Sequence, residues 1–134
     1  MASQLKVDTL TGVTTAGSID VTGEGNSTTT NLQQGLAKYW ITFTQSSNAV
    51  GDSFNHTSAT DNGTGDHTLA IANDFSSAEH AAQAQHIQES GDSAAGFAVT
   101  KARASGSIQI QGLQNNRGAL LDVVFQVSSC GDLA

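Results

Sequence analysis

The sequence predicts an all-β protein, a small antiparallel β-sandwich with an extended N-terminal arm. The chain has no proline and 14 glycines among its 134 residues, so its turns rest on Gly, Asn and Asp while its strands keep every ladder donor. Charged residues make up only 13% of the chain, too few for the outer faces of several amphipathic helices. Short stretches of alternating apolar and polar residues recur along the chain, at the period of half-buried strands.

Residues 1–36 form the predicted arm. Leu5, Val7 and Thr9 are expected on one face of a strand, and Ile19 and Val21 on one face of another. These strands hold too few apolar residues for a core of their own. The arm must therefore pack against its own body, sister copies or another protein, and we expect burial between molecules, as an anchoring and oligomerisation segment. The interface candidates are Leu5, Val7, Leu10, Ile19, Val21 and, in the body, Trp40.

The body is predicted over residues 37–134 as about six strands. The clearest is 39–44, with Tyr39, Ile41 and Phe43 on the inner face. Residues 53–72 are expected to form a hairpin around the turn cluster 61–66. Residues 31–37 could form a helical turn, and 75–79 are interpreted as a turn rather than a helix start. The remaining strands are expected at about 80–88, 96–103, 107–111 and 120–127.

Net charge argues against two classes of partner. Five Lys and Arg residues against twelve Asp and Glu residues give a charge of -7, whereas phosphate backbones and anionic lipid surfaces attract basic proteins. The opening residues lack the apolar run of a signal peptide, and no stretch approaches the ~20 apolar residues of a membrane span. We therefore expect synthesis in a cytoplasm, no membrane insertion and no nucleic-acid binding.

No catalytic, cofactor or metal site is expected. The cluster 61–66 is rich in oxygen ligands but does not match the EF-hand calcium loop, and a plain hairpin turn is the preferred interpretation. A hairpin centred at residues 63–64 would place Thr60 opposite His67 and Ile71 opposite His56, so these two histidines would not meet at a zinc ion. The chain has four histidines: His56, His67, His80 and His86.

Other reactive residue types also have simple interpretations. Cys130 is the only cysteine, so no disulfide can form within the chain, and a half-buried small residue is expected. No Gly-x-Ser-x-Gly elbow is present, and Ser105 is expected in an ordinary turn. The sequons at Asn26, Asn55 and Asn62 are interpreted as turn residues.

Tyr39 and Trp40 are adjacent on the clearest strand, so their side chains point to opposite sides. One is expected in the core and the other at the surface. For the exposed ring a subunit interface is preferred over a sugar-stacking platform.

Several segments together resemble tail-fibre-like and other virion surface proteins of marine tailed bacteriophages. They are residues 35–43, the Asp-Ser-Phe-Asn of 52–55, the Asp-Asn-Gly-Thr-Gly-Asp of 61–66 and residues 73–79. The opening at 3–10 is also similar to the start of those proteins. The resemblance covers roughly residues 3–80, and His67 stands where the family usually has Tyr. These motifs are structural, so they carry over no catalytic residue.

The resemblance implies a non-enzymatic virion protein. The expected form is a homotrimer anchored through its N-terminal arm to capsid or tail proteins, either tail-fibre-like or a capsid decoration protein. The alternative is a carbohydrate-binding receptor adhesin for a host surface glycan, based on exposed aromatic rings and on Asn, Gln and Asp side chains suited to sugar hydroxyls. An enzyme would need converging polar groups in a cleft, and no such constellation is readable.

Overall fold

The computed structural model describes residues 4–12, 19–22, 29–32, 35–88, 96–115 and 118–134. These residues form ten β-strands and one 3-10 turn, without an α-helix, which confirms the all-β class. No helix in this part of the chain could span a bilayer. The chain divides into two compact units, Met1–Gly35 and Leu36–Ala134.

The first unit contains a two-stranded antiparallel ladder. Strand β1 (Asp20–Thr22) pairs with β2 (Thr29–Asn31), and the N–H of Leu32 donates to the carbonyl oxygen of Ile19 at 2.8 Å. The predicted strand at Val21 is thus confirmed, whereas the predicted strand over 5–9 is wrong. Residues 4–12 pair with no strand among the described residues, because alternation alone supplies no ladder partner.

The end of the first unit holds one hydrogen bond of the α-helical type. The N–H of Gly35 donates to the carbonyl oxygen of Asn31 at 3.2 Å, the four-residue spacing of a single helical turn. Residues 33–34 of the possible helical turn lie outside the described residues.

The second unit contains eight strands in two antiparallel sheets. The first sheet holds β3 (Ala37–Thr44), β4 (Ala49–Phe54), β7 (Ala81–His86) and β10 (Val124–Cys130), in the order β4-β3-β10-β7. The second holds β5 (His56–Asp61), β6 (Asp66–Ile71), β8 (Gly96–Ala104) and β9 (Ser107–Gln114), in the order β5-β6-β9-β8. The two sheets form the predicted sandwich.

The core lies between the two sheets and follows the period of two. In β3 the inward residues Tyr39, Ile41 and Phe43 are at most 1% exposed. Burial of a side chain of this size stabilises the fold by about 1.5–3 kcal/mol. The hydrophobic cluster consists of Tyr39, Ile41, Phe43, Leu69, Ile71, Phe75, Ala98, Ile108, Ile110, Val123, Phe125 and Val127.

The predicted hairpin over 53–72 is correct only in its second part. Strands β5 and β6 form it, but the residues up to Phe54 belong to β4, which pairs with β3 in the other sheet. The chain changes sheet at Asn55, whose φ is 62°. The side-chain amide of Asn55 donates to the carbonyl oxygens of Lys38 at 2.9 Å and Asn73 at 3.0 Å. Asn tolerates this left-handed backbone better than most residues do, which allows the sharp corner.

The last strand begins four residues later than predicted. Residues 120–123 cross from the second sheet to the first and β10 starts at Val124. The N–H of Leu121 donates to the carbonyl oxygen of Gly112 at 3.0 Å, and the N–H of Val123 donates to Oε1 of Gln45 at 3.0 Å. These bonds satisfy the backbone of an apolar crossing segment, so its side chains reach the core without belonging to a strand.

The other predicted strands agree with the structure within a few residues. The predicted strand at 80–88 corresponds to β7, after a turn at 78–79, and those at 96–103 and 107–111 correspond to β8 and β9. Ser105 lies in the turn between β8 and β9, as expected. Cys130 is half-buried at the end of β10, also as expected.

Candidate functional site

On strands β3, β7 and β10 the solvent-facing side of the first sheet carries one large aromatic side chain among polar ones. In β3, β7 and β10 every second residue is exposed or half-buried, alternating with the inward-facing positions. Six of these outward residues form what we call the Trp40 face. They are Trp40, Thr42, Gln83, Gln85, Gln126 and Ser128.

Strand register arranges the Trp40 face as two rows across three strands. The rows are Trp40–Ser128–Gln83 and Thr42–Gln126–Gln85. Neighbouring strands lie about 4.8 Å apart, so each row spans about 10 Å. The amide nitrogen of Gln126 donates to Oε1 of Gln85 at 3.1 Å, which orients both amides.

An open cavity of about 710 Å³ lies against the Trp40 face. All six residues of the face line it, and it reaches β8, where Ala98 and Thr100 contribute. Small-ligand sites commonly measure about 300–1,000 Å³. Among the described residues, none that lines the cavity carries a formal charge. A ligand here would therefore be held by contact with the indole ring and by neutral hydrogen bonds.

Tyr39 and Trp40 divide between core and surface as the sequence predicts. Tyr39 is 0% exposed and Trp40 is 38% exposed. Burial raises the pKa of the Tyr39 phenol well above its usual range. Its hydroxyl lies 3.2 Å from Nδ1 of His56. Desolvation lowers the pKa of His56 and outweighs a backbone hydrogen bond with Ala70, which raises it. The ring is therefore uncharged at neutral pH and can accept a hydrogen bond from the phenol hydroxyl.

Phe54 is the cross-strand neighbour of Trp40 on β4. The ring is 52% exposed, yet Phe54 does not line the cavity. The first sheet thus presents two exposed aromatic rings side by side, of which only Trp40 borders the cavity.

The second sheet carries a carboxylate, Asp66, which is only 8% exposed. Its oxygens accept hydrogen bonds from Lys101 at 2.6 Å, Gln109 at 2.7 Å, Gln111 at 3.1 Å and Asn62 at 3.2 Å. Desolvation raises the pKa of Asp66, but these four bonds outweigh it and lower the pKa to about 2. Because all four partners are donors from the protein itself, the carboxylate acts as a structural clamp across β6, β8 and β9.

The turn at 61–66 uses its oxygen atoms internally. Asp61 Oδ1 accepts the N–H of Gly63 at 2.8 Å, and the Asn62 amide donates to Thr68 Oγ1 at 2.9 Å. Gly63 and Gly65 have the positive φ values, 119° and 68°, that the turn requires. The geometry supports the hairpin interpretation over a calcium loop.

The hairpin register differs from the predicted one by one residue from Asp61 to Ser58 and agrees with it only at His56, beyond a register shift. Asp61, not Thr60, lies opposite His67, whereas His56 lies opposite Ile71 as predicted. His67 Nε2 lies 3.8 Å from Asp61 Oδ1. Within the described ranges no group of three or more His, Cys, Asp or Glu side chains is placed to hold a metal ion.

A serine and a histidine do come together inside the body. Nδ1 of His80 lies 2.8 Å from Ser129 Oγ, and its Nε2 lies 3.1 Å from the carbonyl oxygen of Ala104. Ser129 and His80 are 1% and 4% exposed, and the His80 ring stacks on Phe75 with centroids 4.1 Å apart. This nucleophile–base geometry has no access to a substrate, so the pair serves to link strands.

The predicted interface residues of the first unit are accessible in this chain. Leu5 is 80% exposed, Val7 55%, Leu10 56% and Val21 51%, while Ile19 is half-buried beside β1. Of these only Val21 lies in a strand. Their role as an interface stays a prediction, as does that of Trp40 in the second unit.

Of the six residues of this face, only Trp40 is a candidate on the sequence alone. The alternation of Gln83 and Gln85 with alanines does indicate an outward row. Their position beside Trp40 depends on β10 pairing with both β3 and β7, a long-range arrangement without a local signal.

Comparison of the chain with protein-family models, with curated proteins and with solved structures finds no match.

Proposed function

We propose that this protein is a non-enzymatic structural component of a tailed-phage virion, a homotrimeric surface appendage anchored through its N-terminal unit. The observation that carries the proposal is the contrast between the two units. The second unit buries a full hydrophobic cluster, whereas the first leaves Leu5, Val7 and Leu10 more than half exposed. Several large apolar side chains left exposed within a short segment are typical of a surface that another protein covers.

The resemblance to virion surface proteins supplies the setting of this proposal. It supports the phage origin, the trimeric state and attachment to capsid or tail proteins, in either a tail-fibre-like or a decoration role. A displayed sandwich without an open catalytic constellation among its described residues is compatible with a structural part.

Native mass of the full chain tests the assembly. The expected mass is three times the 13.7 kDa of one chain. A triple variant, Leu5→Asp, Val7→Asp and Leu10→Asp, should give a folded monomer because buried unpaired carboxylates are costly. The control places three aspartates at exposed body positions, Ser46, Ser76 and Gln88, and should stay trimeric. A monomeric full chain, or dissociation in the control alone, would refute the proposal.

The location of the protein is tested separately, on purified particles of a phage whose genome encodes the chain. Quantitative mass spectrometry should find the protein in the particles. Hundreds of copies would place it on the head as a decoration protein, and a handful would place it at the tail. Absence from the particles would refute the virion role.

A further inference from the structure

We propose that the Trp40 face is a binding site for an uncharged saccharide. Its outward ring, 38% exposed, borders the 710 Å³ cavity together with amide and hydroxyl side chains. An indole face suits the apolar C–H face of a sugar ring while its edges stay wet. This inference goes beyond the structural role, since the sugar site could be present or absent whether the protein is a trimer or a monomer.

The polar groups of the face match vicinal hydroxyls. Each Gln amide offers two donors and one acceptor oxygen, and each Thr or Ser hydroxyl offers both functions. Gln83 and Ser128 share the row of Trp40, so they lie beside a ring stacked on the indole. The bond between Gln126 and Gln85 holds the second row in place before a ligand arrives, which lowers the entropic cost of binding.

The size of the face fits one or two sugar rings. Three strands at about 4.8 Å spacing and a two-residue repeat of about 6.8 Å give a polar area of about 10 by 7 Å. Ala82 and Ala84, which alternate with the two glutamines of β7 and pack against the core, are also among the residues that line the cavity.

The absence of charge in the lining selects an uncharged ligand. Acidic saccharides would need Lys or Arg partners, and the described residues of the lining include neither. The net charge of -7 further disfavours an anion. A neutral saccharide has no such penalty and finds neutral donors and acceptors.

The composition of the face also favours a ligand over a subunit contact at Trp40. Interface cores are enriched in aromatic residues, Met and Arg and depleted in Ser and Ala. Among the described outward side chains of the first sheet that border the cavity, Trp40 is joined only by Ser, Thr and Gln, while Phe54 lies beside it outside the cavity. The apolar residues of the first unit fit a protein contact better, so the predicted interface role of Trp40 is replaced in this proposal.

Trp40 is the only tryptophan of the chain, so its fluorescence reports on this site without labelling. The full chain would be titrated with neutral disaccharides, namely maltose, cellobiose, lactose and mannobiose, and with sialyl-lactose as the acidic counterpart. We expect a saturable change of emission with a Kd of about 1 mM or lower for at least one neutral sugar. The acidic sugar should cause a smaller change or none.

Variants separate the site from its surroundings. Gln83→Ala and Gln126→Ala should each weaken the sugar at least about tenfold. Two matched controls, Phe54→Ala and Gln88→Ala, remove an exposed ring and an exposed amide outside the cavity and should bind as the parent does.

Three results would overturn the inference: no response to any neutral sugar, equal loss in the control variants, or preferred binding of sialyl-lactose. Native mass measured on the same samples keeps the outcome apart from the trimer proposal. Dissociation of the oligomer in Trp40→Ala, without any sugar response in the parent, would assign this ring to an interface instead.

Discussion

Replacing Asp66 by asparagine removes one negative charge from the second sheet and keeps the size of the side chain. In the parent, both carboxylate oxygens face donors only, from Lys101, Gln109, Gln111 and Asn62. An asparagine amide would leave one oxygen for these donors and would point its own NH₂ group at another donor. Asp66→Asn is therefore expected to lower the free energy of unfolding.

The magnitude follows from the pKa. A fall from 3.8 to about 2 corresponds to about 2 kcal/mol in favour of the ionised, folded form. Since the folded pKa lies below the unfolded one, this stability is present above pH 3.8 and is lost as the pH falls towards 2. The Lys101 side chain is 42% exposed, so solvent weakens its ion pair with Asp66. The stabilisation of the ionised carboxylate is therefore assigned to all four hydrogen bonds together and not to the ion pair alone.

Urea unfolding at about pH 7 and at about pH 2.5 measures the effect. At the higher pH, Asp66→Asn should be less stable than the parent by about 2–3 kcal/mol. At the lower pH most of that difference should disappear, because pH 2.5 lies well below the unfolded pKa of 3.8 and close to the folded pKa of about 2. Folding of the parent must then remove a proton from Asp66, so the ionised carboxylate contributes little net stability. Asp52→Asn, at an exposed position of β4, should stay within about 0.5 kcal/mol at both. If parent and Asp66→Asn lose the same stability between the two pH values, the clamp is not the cause.

Three further substitutions probe the sandwich, each read from urea midpoints and thermal melting. Gly112→Ala should cost about 3 kcal/mol or more, because its Cβ would overlap the carbonyl oxygen of Leu121; Gly51→Ala, with contacts of 3.5 Å and longer, is the tolerated control, and equal effects would contradict the packing argument. Asn55→Ala should lower the free energy of unfolding by about 1–2 kcal/mol more than Asn55→Gly does, since only alanine is strained at a φ of 62°. Equal losses of stability in the two variants would mean that only the side-chain hydrogen bonds of Asn55 matter. Phe125→Ala should cost about 3–5 kcal/mol because the ring is fully buried, and a loss below 1 kcal/mol would contradict its place in the core.

Local sequence patterns predicted the strands whose alternation is uninterrupted. Residues 39–44 alternate cleanly and form most of β3. Strand β4 was missed because Gly51 and Asp52 interrupt its pattern, at a place where the register with β3 shifts between Thr42 and Phe43. The strand predicted around Val7 was wrong because alternation does not supply a pairing partner.

The candidate site was less predictable than the fold. Trp40 was recognisable as the exposed ring of its strand. The polar groups beside it come from Gln83 and Ser128, which are far apart in sequence and meet only through strand pairing. Local periodicity gives the face of each residue but not the order of strands within a sheet.

The position of β10 has a consequence for how the chain is made. Strand β10 lies between β3 and β7 in the first sheet, so β7 has no ladder partner there until Val124–Cys130 is synthesised. Until then its edge and one edge of β3 remain open to pairing with other chains. The first sheet can therefore close only after β10 has been synthesised, and closing it forms contacts of long sequence separation, which form slowly. A chain that lacks Val124–Cys130 cannot form the Trp40 face, so only copies that contain this strand can display it.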